Sequence, residues 1–141
     1  DSQRILVASP AYLDRRGRPT TPAEVAGHDL LRYSLTALEP WRLQGPGGQV
    51  VEIESRPRLR ADNGDVTYDW ALDGRGVMLK SRIEVLFDLR AGRLERVLPD
   101  WSSGEAPVYA LIPSSSHLAV KTRVFLEAVA GRMRELGADS V

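Results

Sequence analysis

Short apolar runs alternate with amphipathic stretches along this chain, and Gly, Pro or a capping residue separates most of them. Ile5-Leu6-Val7-Ala8 predicts a short buried strand. It runs into Ser9-Pro10, where Ser is a good N-cap and Pro fits the first helical position. The short helix that follows carries Tyr12 and Leu13 and stops at Gly17. Thr21-Pro22-Ala23-Glu24 has the form of a capping box, and its helix ends near Gly27. Leu30 to Leu35 predicts a strand. Trp41 to Leu43 and Val50 to Ile53 flank Gly45-Pro46-Gly47-Gly48, a hairpin pattern, and Arg58 to Ala61 reads as an edge strand because Pro57 precedes it.

Asp62-Asn63-Gly64-Asp65 opens a helix with apolar Val66 and Trp70 four residues apart, closing at Gly74 or Gly76. Val77-Met78-Leu79 predicts a short buried strand. Ser81-Arg82-Ile83-Glu84 is a second capping box, and its helix is expected to bury Ile83, Leu86 and Leu89 before Gly92. Val97-Leu98 reads as extended, ended by Pro99, and Val108 to Ile112 as the last strand. The final helix, Leu118 to Leu136, carries Val124, Phe125, Ala128, Val129 and Met133 on one stripe. Strand-like and helix-like segments in alternation predict an α/β fold.

Composition narrows the classes. The length of 141 residues suits one domain with its own core. Formal net charge is zero, with 19 basic and 19 acidic residues, which argues against a segment that grips nucleic acid through a basic face. Arginines cluster at Arg15–Arg18 and Arg56–Arg60, and solvated surface accounts for both. With no Cys, neither a disulfide nor a thiolate metal site is available, which fits a reducing cytoplasm. No apolar run approaches the roughly 18 residues of a membrane span, and no signal peptide is visible. The chain starts at Asp1 without an initiator Met, so an excised piece of a longer protein is expected.

Candidates for chemistry are few. Ser114-Ser115-Ser116-His117 supplies residue types for a nucleophilic triad but reads as a loop with Ser116 as an N-cap, and no G-x-S-x-G elbow exists. His28 and His117 without Cys make no metal site. Asp62 and Asp65 suit a helix dipole. Gly74-Arg75-Gly76 follows a helix and precedes a strand, the reverse of a dinucleotide fingerprint. No catalytic residue, cofactor or metal is therefore expected. The more informative feature is that three helices start directly after short apolar strands, at Ser9-Pro10, at Asn63-Gly64 and at Ser81. In an open α/β sheet the carboxyl ends of strands and the helix starts after them share one edge, so these three starts are expected on one rim, where small ligands bind.

These segments resemble a known family. Arg4 to Leu13 resembles the opening of the second lobe of LysR-type effector domains, and Thr21 to Asp29 the following helix and turn. Trp41-Arg42-Leu43, Arg60 to Asp65, Ala71 to Val77, Gly92 to Trp101, Pro107 to Pro113 and Arg123 to Leu126 continue the match in order. The resemblance implies a type 2 periplasmic-binding-protein-like fold with a small-molecule cleft between two lobes. Residues 1–101 correspond to the second lobe. Residues 102–141 correspond to a return strand and a last helix that pack on the first lobe, which is largely missing here along with the winged helix-turn-helix that reads DNA.

The implied function is effector sensing in a cytoplasmic transcriptional regulator rather than catalysis. The implied effector contacts are Ser9, Asn63, Gly64, Val77, Met78 and Ser81, with the other half of the site supplied by the absent lobe and a polar or anionic small molecule as ligand. The last helix, without its usual partner, predicts a homodimer or an exchanged arm. The competing readings are a fragment of a periplasmic-type solute-binding protein and, less favoured, a deaminase or transferase on the same lobed scaffold.

Overall fold

The computed structural model describes residues 3–33, 39–54, 57–105, 109–111 and 119–138. The chain order is β1 (Gln3–Ala8), α1 (Pro10–Arg16), α2 (Pro22–Val25), β2 (Leu30–Tyr33), β3 (Trp41–Gln44), β4 (Val50–Ile53), β5 (Leu59–Ala61), α3 (Gly64–Leu72), β6 (Val77–Ser81), α4 (Arg82–Arg90), β7 (Glu95–Val97), β8 (Ser103–Glu105) and α5 (Val120–Ala138). The main sheet is mixed, in the order β5-β2-β6-β1-β7, with β8 also on β1. Its apolar runs are continuous because both faces are covered. Leu6 and Ala8 join Tyr12, Leu13, Val25, Leu30 and the hairpin residues Trp41, Leu43 and Ile53 on one side. Ile5, Val7, Leu31 and Met78 meet Ala71, Val85 and Leu94 on the other.

Local punctuation works as expected at the first helix. Ser9 Oγ accepts the Tyr12 N–H at 3.4 Å, and Gly17, at a φ of 89°, ends α1. The hairpin forms with Trp41 opposite Ile53, and β5, preceded by Pro57, is an edge strand. Of the two capping boxes the first is half made and the second is not formed. Thr21 caps α2, but the Glu24 carboxylate turns to the Thr20 N–H at 2.7 Å instead of the cap residue. At the second, Ser81 makes no cap bond to α4, because it is still strand, paired with Arg4, and Glu84 bonds Lys80 at 2.9 Å.

Helix faces differ from the expected stripes. α3 buries Thr67 and Ala71, leaving Val66 exposed, because it packs on β2, β5 and β6 with that face inward. α4 buries Val85 and Leu86, while Ile83 and Leu89 are half-buried. Strand β8 was not foreseen; its Ser and Gly carry no strand signal. Residues 109–111 of the expected last strand are irregular and exposed, and the rest of that segment lies outside the described residues. On α5 the apolar stripe faces outward: Phe125 is 65% exposed, and Val124 and Val129 are exposed with it.

Strand direction is the main correction. β2, β5 and β6 are mutually parallel, whereas β1 is antiparallel to β6, with Arg4 opposite Ser81 and Val7 opposite Met78. The carboxyl end of β1, and Ser9 after it, therefore lies at the rim opposite to Asn63 and Ser81. The three helix starts do not share one rim; two of them do.

Candidate functional site

The rim at the carboxyl ends of β2, β5 and β6 carries a concavity of about 910 Å³. The amino-terminal turn of α3 contributes Asn63, Gly64, Asp65 and Thr67, the end of β6 contributes Met78, Leu79, Lys80 and Ser81, and α4 contributes Glu84. β2 brings Leu31, Arg32 and Tyr33, while Arg4 and Ser103 close one side and the stretch from Glu39 to Arg42 the other. Asn63 Oδ1 accepts the Asp65 N–H at 2.8 Å, which fixes the turn into α3. Gly64 lets that turn approach Lys80, since a Cβ there would sit 3.3 Å from Nζ.

Arg32 is the most unusual group in this concavity. It is only 7% exposed, donates to the backbone carbonyl of Glu39, and lies over the Trp41 ring. No carboxylate among the described residues comes within ion-pair distance of it. Burial lowers the pKa of its guanidinium, with the Glu39 charge acting the other way. A desolvated cation without a carboxylate is a costly arrangement that an anionic ligand relieves. Lys80, by contrast, is matched by Glu84.

Of the six residues expected to touch an effector, Asn63, Gly64, Met78 and Ser81 line this concavity. Ser9 and Val77 do not. Ser9 is buried at the opposite rim, capping a helix of seven residues, and Val77 is a core residue opposite Leu30 at the far end of β6. The antiparallel course of β1 removes the first, and the entry point of β6 removes the second. Asp65 lines the site and Asp62 does not. Sequence reasoning missed Arg32 and Lys80, although a charge inside the apolar run Leu30-Leu31-Arg32-Tyr33 was a signal of something to be neutralised.

The two other sequence candidates fall elsewhere. Ser114 to His117 lies outside the described residues. His28 sits at the opposite rim, its Nδ1 3.2 Å from the Tyr12 hydroxyl, and burial, followed by the nearby Arg16 charge, lowers its pKa. The Tyr12 hydroxyl accepts the Asp29 N–H at 2.8 Å, and Asp29 in turn is held ionised below its usual range by Arg58 and Arg16 despite partial burial. Among the described residues no group of three or more His, Cys, Asp or Glu could hold a metal ion.

Known proteins share the fold of this chain. The profile of the LysR substrate binding domain matches residues 1–134. The HTH-type transcriptional activator TtdR of Escherichia coli is 32% identical over 131 residues, covering 92% of this chain and 42% of TtdR. The HTH-type transcriptional regulator PtxR of Pseudomonas aeruginosa is 31% identical over 135 residues, covering 92% of this chain and 41% of PtxR. The regulatory domain of AphB from Vibrio vulnificus superposes with a TM-score of 0.79 at 30% identity, over 93% of this chain and 65% of that one. The full-length virulence activator AphB of Vibrio cholerae gives 0.78 at 32% identity, over 94% of this chain and 46% of that one. The chain thus spans less than half the length of these full-length relatives. The type 2 periplasmic-binding-protein-like α/β fold of such regulatory domains is the fold seen here. No helix among the described residues is long and apolar enough to cross a membrane.

Proposed function

The chain belongs to the LysR substrate binding domain family, and from that premise we propose that it is the effector-sensing part of a LysR-type DNA-binding transcriptional regulator. Residues 1–101, with 103–105 added to their sheet, act as the second lobe; α5 belongs with a first lobe supplied from outside this chain. The effector occupies the concavity at Asn63, Gly64, Met78 and Ser81, opposite groups from that first lobe. Ser9 and Val77 take no part. The effector is a small anionic molecule, and the observation that carries this is the buried Arg32 lining the cavity with no carboxylate among the described residues within ion-pair distance.

Sensing requires different affinities for two lobe arrangements, so that ligand shifts their balance and with it the spacing of attached DNA-binding domains. The domain acts by binding and not by catalysis, in the cytoplasm where the regulated DNA lies. Contact with DNA belongs to a helix-turn-helix outside this chain, since the chain itself carries no net charge. The exposed stripe Val124, Phe125 and Val129 supports self-association of the isolated chain.

The test is an NMR titration of the chain with benzoate, succinate and citrate, each against its neutral amide. Carboxylates are expected to move the amides of Gly64, Met78 and Ser81 and the side chain of Arg32, whereas the amides are not. Equal responses to both sets, or shifts confined to other surfaces, would defeat the assignment.

A further inference from the structure

We infer that the opposite rim of the sheet holds a second, separate binding site, for a small ligand bearing a phosphoryl group. A hollow of about 480 Å³ opens there, within the size range of small-molecule pockets. Four arginines line it, Arg15, Arg16, Arg58 and Arg75, against two carboxylates, Asp29 and Asp73. They arrive from three places: the last turn of α1, the approach to β5, and the turn between α3 and β6. The chain as a whole is neutral, so this local excess does not follow from a generally basic surface.

The charges inside the hollow do not cancel. Asp29 is shared, 2.9 Å from Arg58 and 3.7 Å from Arg16, and neutralises one charge while holding two guanidinia side by side. Arg75 reaches Asp73 only at 4.0 Å. Arg15 spends its hydrogen bonds on backbone carbonyls, at 2.7 Å on Gly74 and 3.5 Å on Ala11, and lies 5.7 Å from the Tyr12 ring centroid. It is held in place without a carboxylate partner in these contacts. The carboxyl ends of α1 and α3 offset about half a charge each, which leaves the hollow cationic.

Guanidinium forks converging from several directions suit a tetrahedral oxyanion, which accepts along several axes at once. A DNA backbone is the poorer fit, because the cationic surface is a recessed hollow on a neutral domain. The site lies within this chain, with none of it owed to a missing lobe, and it is independent of the effector cavity.

The test uses the chain itself, titrated with inorganic phosphate and with glycerol 3-phosphate at ionic strength held constant with chloride, and followed by NMR. Saturable shifts are expected at the amides of Asp29, Gly74 and Arg75 with either compound. Arg58→Gln with Arg75→Gln, both exposed positions, is expected to weaken binding about tenfold or more, while Arg123→Gln on α5 leaves it unchanged. Shifts that do not saturate, a double variant that binds like the parent, or a hollow that responds to duplex DNA and not to free phosphate would each overturn the proposal.

Discussion

The guanidinium of Arg32 lies over the indole of Trp41, 5.1 Å from the ring centroid, and so joins the end of β2 to the start of the hairpin beside the concavity that both residues line. A cation–π contact contributes about 0.5–2 kcal/mol. Burying a guanidinium without a carboxylate works against it by a comparable or larger amount.

Replacement of this group therefore separates stability from binding. Arg32→Met is expected to leave the unfolding free energy unchanged or raise it by up to about 1 kcal/mol, while abolishing the response to carboxylates. Urea denaturation and the benzoate titration read the two effects. A loss above about 2 kcal/mol would mark Arg32 as a structural residue.

Gly76 stands where β6 begins, packed on the turn before β2. A Cβ there would fall 2.1 Å from the carbonyl oxygen of Asp29, which already accepts the Val77 N–H at 2.9 Å. That neighbour is backbone and cannot swing away. Gly76→Ala is expected to cost about 3 kcal/mol, whereas Gly104→Ala, with nothing within 4 Å, costs little. Paired urea curves decide it.

His28 gives the opposite rim a pH dependence. Burial and Arg16 lower its pKa below the ordinary imidazole value of about 6.5, so folding favours the neutral ring. The resulting stability is fully present above that ordinary value and is lost as pH falls through the depressed folded value. Thermal melts at stepped pH below about 6.5 should show this slope, and His28→Gln should flatten it. An unchanged slope in the variant would assign it to another group.

The outward stripe of α5 is expected to make the isolated chain associate. Light scattering at micromolar concentration is expected to report a dimer, and Phe125→Glu with Val129→Glu a monomer. A compact monomeric parent with α5 amides strongly protected from exchange would contradict this.

Much of this was legible in the sequence. Caps and breakers are local, so Ser9-Pro10, Asn63-Gly64 and the glycines at 17, 74 and 92 marked helix limits that the structure keeps. Period-two and continuous apolar runs located β1, β3, β4 and β6. Asn63, Gly64, Met78 and Ser81 reached the cavity because they flank parallel strands, for which the strand-to-helix rule holds. Arg32 escaped because nothing local says that a charge in an apolar run faces a cavity.

What the chain determined by itself is the place and local limits of most elements, β8 and the expected strand at Val108 to Ile112 excepted, and the apolar stripe that α5 carries. The tertiary structure decided the direction of β1, and with it which helix starts meet. Apolar burial is indifferent to strand direction, and direction is set by pairing between residues as distant in sequence as Arg4 and Ser81. The same long-range pairing gathered Arg15, Arg16, Arg58 and Arg75, far apart in the chain, around one hollow.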